Sequence, residues 1–98
     1  MWRFLIMKII ATDKTIKKIV IVEIERIENL IYLKAINVDE INLNHIDVTN
    51  VTNMNELFKD MTFSKPLNIE EWNFINTIST IEMFNSSIEK TNPEMWRV

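Results

Sequence analysis

The sequence predicts a small α+β fold: an N-terminal β-hairpin followed by about two short strand–turn–helix coils of a solenoid. Three observations carry that prediction. The chain has 98 residues, 47% of them hydrophobic and 26% charged, enough for one core and too little for two. Two runs near the N-terminus are rich in β-branched and aromatic residues and flank a polar turn. The second half of the chain repeats part of itself at an offset of 26 residues, the length of one solenoid coil. The expected organisation is a single domain, 1–98, with the hairpin in 1–25, a connecting first partial coil in 26–45 and the repeat coils in 46–98.

Residues 2–10 and 15–24 read as the two strands, with Thr12-Asp13-Lys14 as the turn between them. In the second run Ile19 and Ile21, with Lys17, would share one face, and Lys18, Val20 and Val22 the other. Between residues 26 and 35 the apolar positions Ile27, Leu30, Ile31 and Leu33 suggest a short helix or helical turn. Val38, Ile41, Leu43, Ile46 and Val48 then alternate irregularly with Asn, Asp and Glu, the pattern of short extended pieces joined by turns.

The echo aligns Ile46-Asp47-Val48-Thr49-Asn50-Val51-Thr52-Asn53-Met54-Asn55-Glu56-Leu57-Phe58 with Trp72-Asn73-Phe74-Ile75-Asn76-Thr77-Ile78-Ser79-Thr80-Ile81-Glu82-Met83-Phe84. Both copies open on an apolar residue and close on Leu57-Phe58 or Met83-Phe84. Ser79-x-x-Glu82 has the form of a capping box, and Asn53-x-x-Glu56 is a looser version of it. Each predicts a short helix, over residues 54–60 and 80–85. Trp96, after Pro93-Glu94-Met95, is a candidate third opener. Glycine is absent, and Asn50, Asn68, Asn76 and Asn92 are expected to make the turns that glycine ordinarily makes.

The run Asp47-Val48-Thr49-Asn50-Val51-Thr52-Asn53-Met54-Asn55-Glu56-Leu57-Phe58 resembles the repeats of BspA-like, leucine-rich-repeat-type bacterial surface proteins. Their pattern is roughly Trp-Asp-Val-Ser-Asn-Val-Thr-Asn-Met-x-x-Met-Phe. The resemblance covers residues 46–96; the second copy is weaker, with Ile78 and Ile81 displaced by one position. It implies a right-handed solenoid used for adhesion or protein contact and supplies no catalytic residues. The chain departs from the family in lacking glycine, with Met61 where the family has glycine or alanine after its closing pair.

Composition argues against most catalysis. Without glycine there is no phosphate-binding loop or dinucleotide fingerprint, and without cysteine no thiolate metal site or cysteine nucleophile. His45, the single histidine, reads as a surface or turn residue. The adjacent acids Asp39-Glu40 and Glu70-Glu71 diverge on either a strand or a helix, so neither pair makes a glycosidase-type site alone. Lys14, Lys17 and Lys18 are the one basic cluster, better read as guarding an edge strand than as binding nucleic acid. The apolar run at the N-terminus is broken at Lys8, too short for a spanning helix or an export signal, which points to the cytoplasm.

Net charge is −3 but polarised: residues 1–34 hold seven Lys/Arg against four Asp/Glu, and residues 35–98 hold four against ten. The function this predicts is non-enzymatic protein binding, without cofactor, metal, nucleic acid or membrane. A basic protein partner is expected at the sheet face or the acidic turn surface, with Asp39, Glu40, Asp47, Asp60, Glu70 and Glu71 as contact residues. The aromatic residues Phe58, Phe63, Trp72, Phe74 and Phe84 are expected in the core, and the edge Glu94-Met95-Trp96-Arg97-Val98 is a candidate for pairing with a second copy. The alternative is an intracellular inhibitor, encoded by a phage or mobile element, that binds a nucleic-acid-binding defence protein. Small size, the acidic half and an Ile- and Asn-rich composition fit it.

Overall fold

A computed structural model describes residues 8–89. The elements run β1 (Ile9–Ile10), α1 (Ile16–Tyr32), β2 (Ile41–Asn42), β3 (Ile46–Asp47), β4 (Thr62–Phe63), β5 (Leu67–Asn68) and β6 (Ile88–Glu89). Within the described residues this is an α+β arrangement of one helix and short strands.

The expected hairpin is not formed. Residues 16–32 are helical where a strand was expected over 15–24, and β1 pairs in parallel with β3, Ile9 beside Ile46. The reason lies in spacing. Ile16, Val20, Ile24 and Ile27 recur at intervals of four, four and three, and all four are buried. That stripe buries one face of a helix, each residue contributing about 1.5–3 kcal/mol, and this outweighs the modest β preference of isoleucine and valine. Val20 is 0% exposed and Val22 is 47% exposed, although a strand would put them on one face.

The helix begins in a tight turn where the Thr12 N–H donates to Thr15 Oγ1 at 2.9 Å and the Ile16 N–H to the Thr12 carbonyl at 2.9 Å. It ends in a Schellman arrangement: the Ala35 N–H donates to the Leu30 carbonyl and the Lys34 N–H to the Ile31 carbonyl. Lys34, at φ 58°, takes the left-handed position that glycine usually fills.

Beyond the helix, one register governs the chain. Ile41 pairs with Leu67, Asn53 with Ser79 and Thr62 with Ile88, all in parallel. Each pair is 26 residues apart, the offset of the sequence echo. The pairing reaches back to residue 41, ahead of the boundary at 46 that the echo suggested.

The two short helices expected at 54–60 and 80–85 are absent. The Met54, Glu56, Phe58 and Asp60 amides donate across to the carbonyls of Ser79, Ile81, Met83 and Asn85 at 2.8–3.0 Å. The intervening amides of Leu57, Lys59 and Met61 close four-residue turns, each to the carbonyl three residues back. A helix would return each amide past its first turn to a carbonyl four residues back; here alternate amides reach the neighbouring segment instead. Left-handed residues make the alternation possible: Glu56 at φ 59° and Asp60 at 62°, then Glu82 at 54° and Ser86 at 59°, again 26 residues on. Of the asparagines expected at such positions, Asn50, Asn68 and Asn76 are not among them, and Asn92 lies outside the described residues.

The asparagines do something else. Asn42, Asp47, Asn53, Asn68 and Asn73 each accept, through Oδ1, the N–H two residues ahead. These Asx turns set where each straight piece bends. Other side chains tie the two segments: Asn44 Nδ2 donates to Asn68 Oδ1, Asn76 Nδ2 to the Thr49 carbonyl and Ser79 Oγ to Asn55 Oδ1.

Between the segments and α1 lies the core, which includes Ile41, Leu43, Ile46, Val48, Met54 and Leu57. Phe58 stacks on Phe84 with centroids 5.2 Å apart and on Trp72 at 5.9 Å, and meets Phe63 edge-on. Trp72 is buried, and its indole N–H donates to the Leu43 carbonyl at 2.9 Å. Trp96 and the edge at residues 94–98 lie outside the described residues.

Two expected outcomes separate these features from the alternatives. Val20→Ala should cost about 2–3 kcal/mol in chemical denaturation and Val22→Ala less than about 0.5 kcal/mol; equal losses would restore the strand. Asp60→Gly and Ser86→Gly should hold or raise the melting temperature, because a left-handed non-glycine residue costs about 1–2 kcal/mol. Asn50→Gly, at a residue without positive φ, should lower stability by about 0.5–1 kcal/mol.

Candidate functional site

The repeat has two sides, and they are treated differently. One is closed by α1 and the loop before it through three carboxylates. Asp13 accepts the Thr52 N–H at 2.7 Å, the Thr52 hydroxyl at 2.5 Å and the Asn53 N–H at 3.1 Å. Glu28 accepts the Ser64 N–H at 2.9 Å and its hydroxyl. Glu23 Oε1 lies 2.7 Å from His45 Nε2 and takes Arg26 Nη2 at 2.9 Å. His45 is thus a half-buried bridge between helix and repeat.

These contacts move the acids. The Thr52 hydroxyl, then the Thr52 and Asn53 N–H groups, hold Asp13 below its ordinary pKa. Glu23 is also lowered, chiefly by the Arg26 hydrogen bond and less by His45, against the opposing effect of burial. Asp47 is lowered by Thr49, hydroxyl and N–H together.

The other side of the repeat is the outer edge of residues 67–89. Residues 75–81 run beside 49–55: the Ile78 N–H donates to the Thr52 carbonyl, the Thr77 hydroxyl to the Val51 carbonyl and the Ile81 N–H to Asn55 Oδ1. On that outer segment Ile75 is 77% exposed, Ile78 84% and Ile81 64%. Phe74 is partly exposed and packs against Trp72 with centroids 6.2 Å apart. At the matching positions the inner segment has Thr49, Thr52 and Asn55. Three polar residues have become three isoleucines where the second copy meets water.

Beside Ile78 a half-open groove of about 390 Å³ runs between the start of α1 and this turn. Ile78 itself lines it with Ile16 and Leu57, and its polar lining includes Asp13, Lys17, Asn55 and Ser79. Residues 67–89 hold four glutamates and no Lys, Arg or His. Lys59, from the inner segment, reaches Glu82 at 3.1 Å, and Glu82 with Glu56 holds its pKa up. Glu70 and Glu71 are exposed.

The six acids expected at the contact surface divide between two tasks. Glu40 accepts from Asn68 Nδ2, and the Glu70 and Glu71 N–H groups donate to Asn68 Oδ1 and Asn44 Oδ1. Asp39, Glu40, Glu70 and Glu71 therefore gather around the β2–β5 pair. Asp47 sits in β3, where its carboxylate is engaged by Thr49, and Asp60 lies at the turn bonded to Asn85. Exposed are Asp39, Asp60, Glu70 and Glu71; half-buried are Glu40, tied to Asn68 across the β2–β5 pair, and Asp47, which makes an Asx turn.

Ile75, Ile78 and Ile81 were not singled out by sequence reasoning, which took Phe74 for core. The echo did hold the signal, as a polar-to-apolar change at three aligned positions. Among the described residues no group of three or more His, Asp or Glu is arranged to hold a metal ion, and no helix is long and apolar enough to cross a membrane. No family model matches the chain, and no curated protein or solved structure shows significant similarity to it.

The Asp13 pin has a pH signature. Its folded pKa lies below the unfolded one, so its contribution is complete above about pH 4 and is lost as pH falls through the folded value. Asp13→Ala should therefore lower the melting temperature at pH 7, and the gap to the unaltered chain should narrow as pH falls below about 4. A gap that stays constant across that range would show that the carboxylate charge is not what holds Thr52 and Asn53.

Proposed function

We propose that the chain is a non-enzymatic protein-binding module, built on solenoid coils of 26 residues like those of the BspA-like repeats, and that it meets its partner through the outer face of residues 67–89. One observation carries the reading: Thr49, Thr52 and Asn55 are replaced at the next repeat by Ile75, Ile78 and Ile81, on the exposed face. An outermost coil that faces only water favours polar residues. Three exposed isoleucines beside a partly exposed phenylalanine are the composition of a contact surface.

The acids set the sign of the partner. Glu70 and Glu71 are exposed at one end of that face, and Asp39 is exposed just before β2, the inner partner of β5; a basic surface complements them. The inhibitor reading uses the same residues. A face with glutamates and no basic side chain favours a target whose own ligand is nucleic acid.

Affinity capture from the native host with the tagged chain tests the module reading. The unaltered protein should retain a discrete basic protein, and reversing Asp39, Glu70 and Glu71 to Lys should reduce retention at least about tenfold, most clearly at low salt. Equal retention by the reversed chain would remove the acids from the interface. Failure to retain any protein would count against a binding module altogether.

A further inference from the structure

The outer face offers backbone as well as side chains. In the inner segment Ile41 and Leu43 donate their N–H groups to the Pro66 and Asn68 carbonyls, as Met54, Glu56 and Asp60 donate to Ser79, Ile81 and Asn85. Carried on by 26 residues, the same positions are Leu67, Ile69, Thr80, Glu82 and Ser86. The inner turns repeat too: the Met83, Asn85 and Ser87 amides close four-residue turns as Leu57, Lys59 and Met61 do. By that repetition the amides of Leu67, Ile69, Thr80, Glu82 and Ser86 face away from the inner segment. No third segment lies there among the described residues.

We propose that this edge is a strand-addition site, which takes an extended basic segment of a partner protein as the next parallel rung. The inference rests on the protein-binding reading and narrows it to a mode and a ligand class. The partner's carbonyls would accept from the outward amides at the spacing the inner segment already uses, and its apolar side chains would cover Ile75, Ile78 and Ile81. Lys or Arg at the end of the segment nearest β5 would face Glu70 and Glu71. Charge selects this occupant over a second copy: two copies meeting edge to edge would oppose glutamates from both chains with no cation from either 67–89 segment.

The test uses the full chain, a twenty-residue probe peptide of alternating Lys and Val, one residue for each of residues 67–86, and two control peptides, one with Glu in place of Lys and one with a central Pro. Amide chemical shifts report where each peptide binds. The Lys/Val peptide should perturb residues 67–71 and 78–86, and both controls should bind at least about tenfold more weakly. The variant Ile75→Thr/Ile78→Thr/Ile81→Asn, which copies the inner segment, should melt at nearly the same temperature and lose at least about tenfold in peptide affinity.

Other occupants give other results. A large drop in melting temperature for the triple variant, with no peptide binding, would mean that the chain itself covers the isoleucines. A dimer in sedimentation that the triple variant converts to monomer would mean a second copy. Either overturns the proposal, as do shifts that map elsewhere. Host capture that survives the triple variant but not the Asp39, Glu70 and Glu71 reversals would leave the binding module standing and remove strand addition from it.

Discussion

The 26-residue parallel register is the constraint on which the rest depends. It decides which amides are spent within a segment and which cross, and therefore why residues 54–60 wind as alternating turns and not as a helix. It also sets side chain against like side chain: Phe58 lies on Phe84, with ring planes 6° apart, and the two are 26 residues apart in sequence. Stacked aromatic and aliphatic layers then form a core that no single segment could close alone. The Asx turns recur on the same scheme, Asn42 with Asn68 and Asp47 with Asn73. Bends therefore come at matching points in neighbouring segments, and the amides freed at each bend find carboxamide or carboxylate oxygens.

The helix closes one end of this arrangement. Its apolar stripe of Ile16, Val20, Ile24 and Ile27 covers the core, and Asp13, Glu23 and Glu28 fasten it to Thr52, His45 and Ser64. Each carboxylate satisfies groups on the repeat that a purely apolar cap would leave without partners. The opposite face has no comparable device among the described residues. That asymmetry, one end pinned by acids and the other presenting isoleucines, gives the fold a direction.

What the sequence made legible was the repeat and its period. Those depend on side-chain identity at a fixed offset, and the aligned Leu57-Phe58 and Met83-Phe84 pairs are visible without a structure. Isoleucine and valine dominate the helix, so its composition favours a strand, while the four-four-three spacing of its buried residues marks it as helical. The capping boxes misled for a related reason. An Asn or Ser followed three residues later by Glu is locally the same string whether the amides ahead turn inward or cross to a neighbour, and only the neighbour decides. Glu56, Glu82 and Ser86 hold left-handed geometry that their side chains do not favour intrinsically, so no residue preference marks them, and Asp60 alone is of a type that visits it. The outer isoleucines are legible in the echo as the three aligned positions where Thr49, Thr52 and Asn55 give way to apolar residues.

The register itself is open to direct measurement. Scalar couplings across hydrogen bonds, recorded by NMR on the labelled chain, report which carbonyl each amide reaches. The Met54, Glu56, Phe58 and Asp60 amides should couple to the carbonyls of Ser79, Ile81, Met83 and Asn85. Couplings from those amides to carbonyls four residues back would instead establish the short helix and contradict the parallel register on which this account stands.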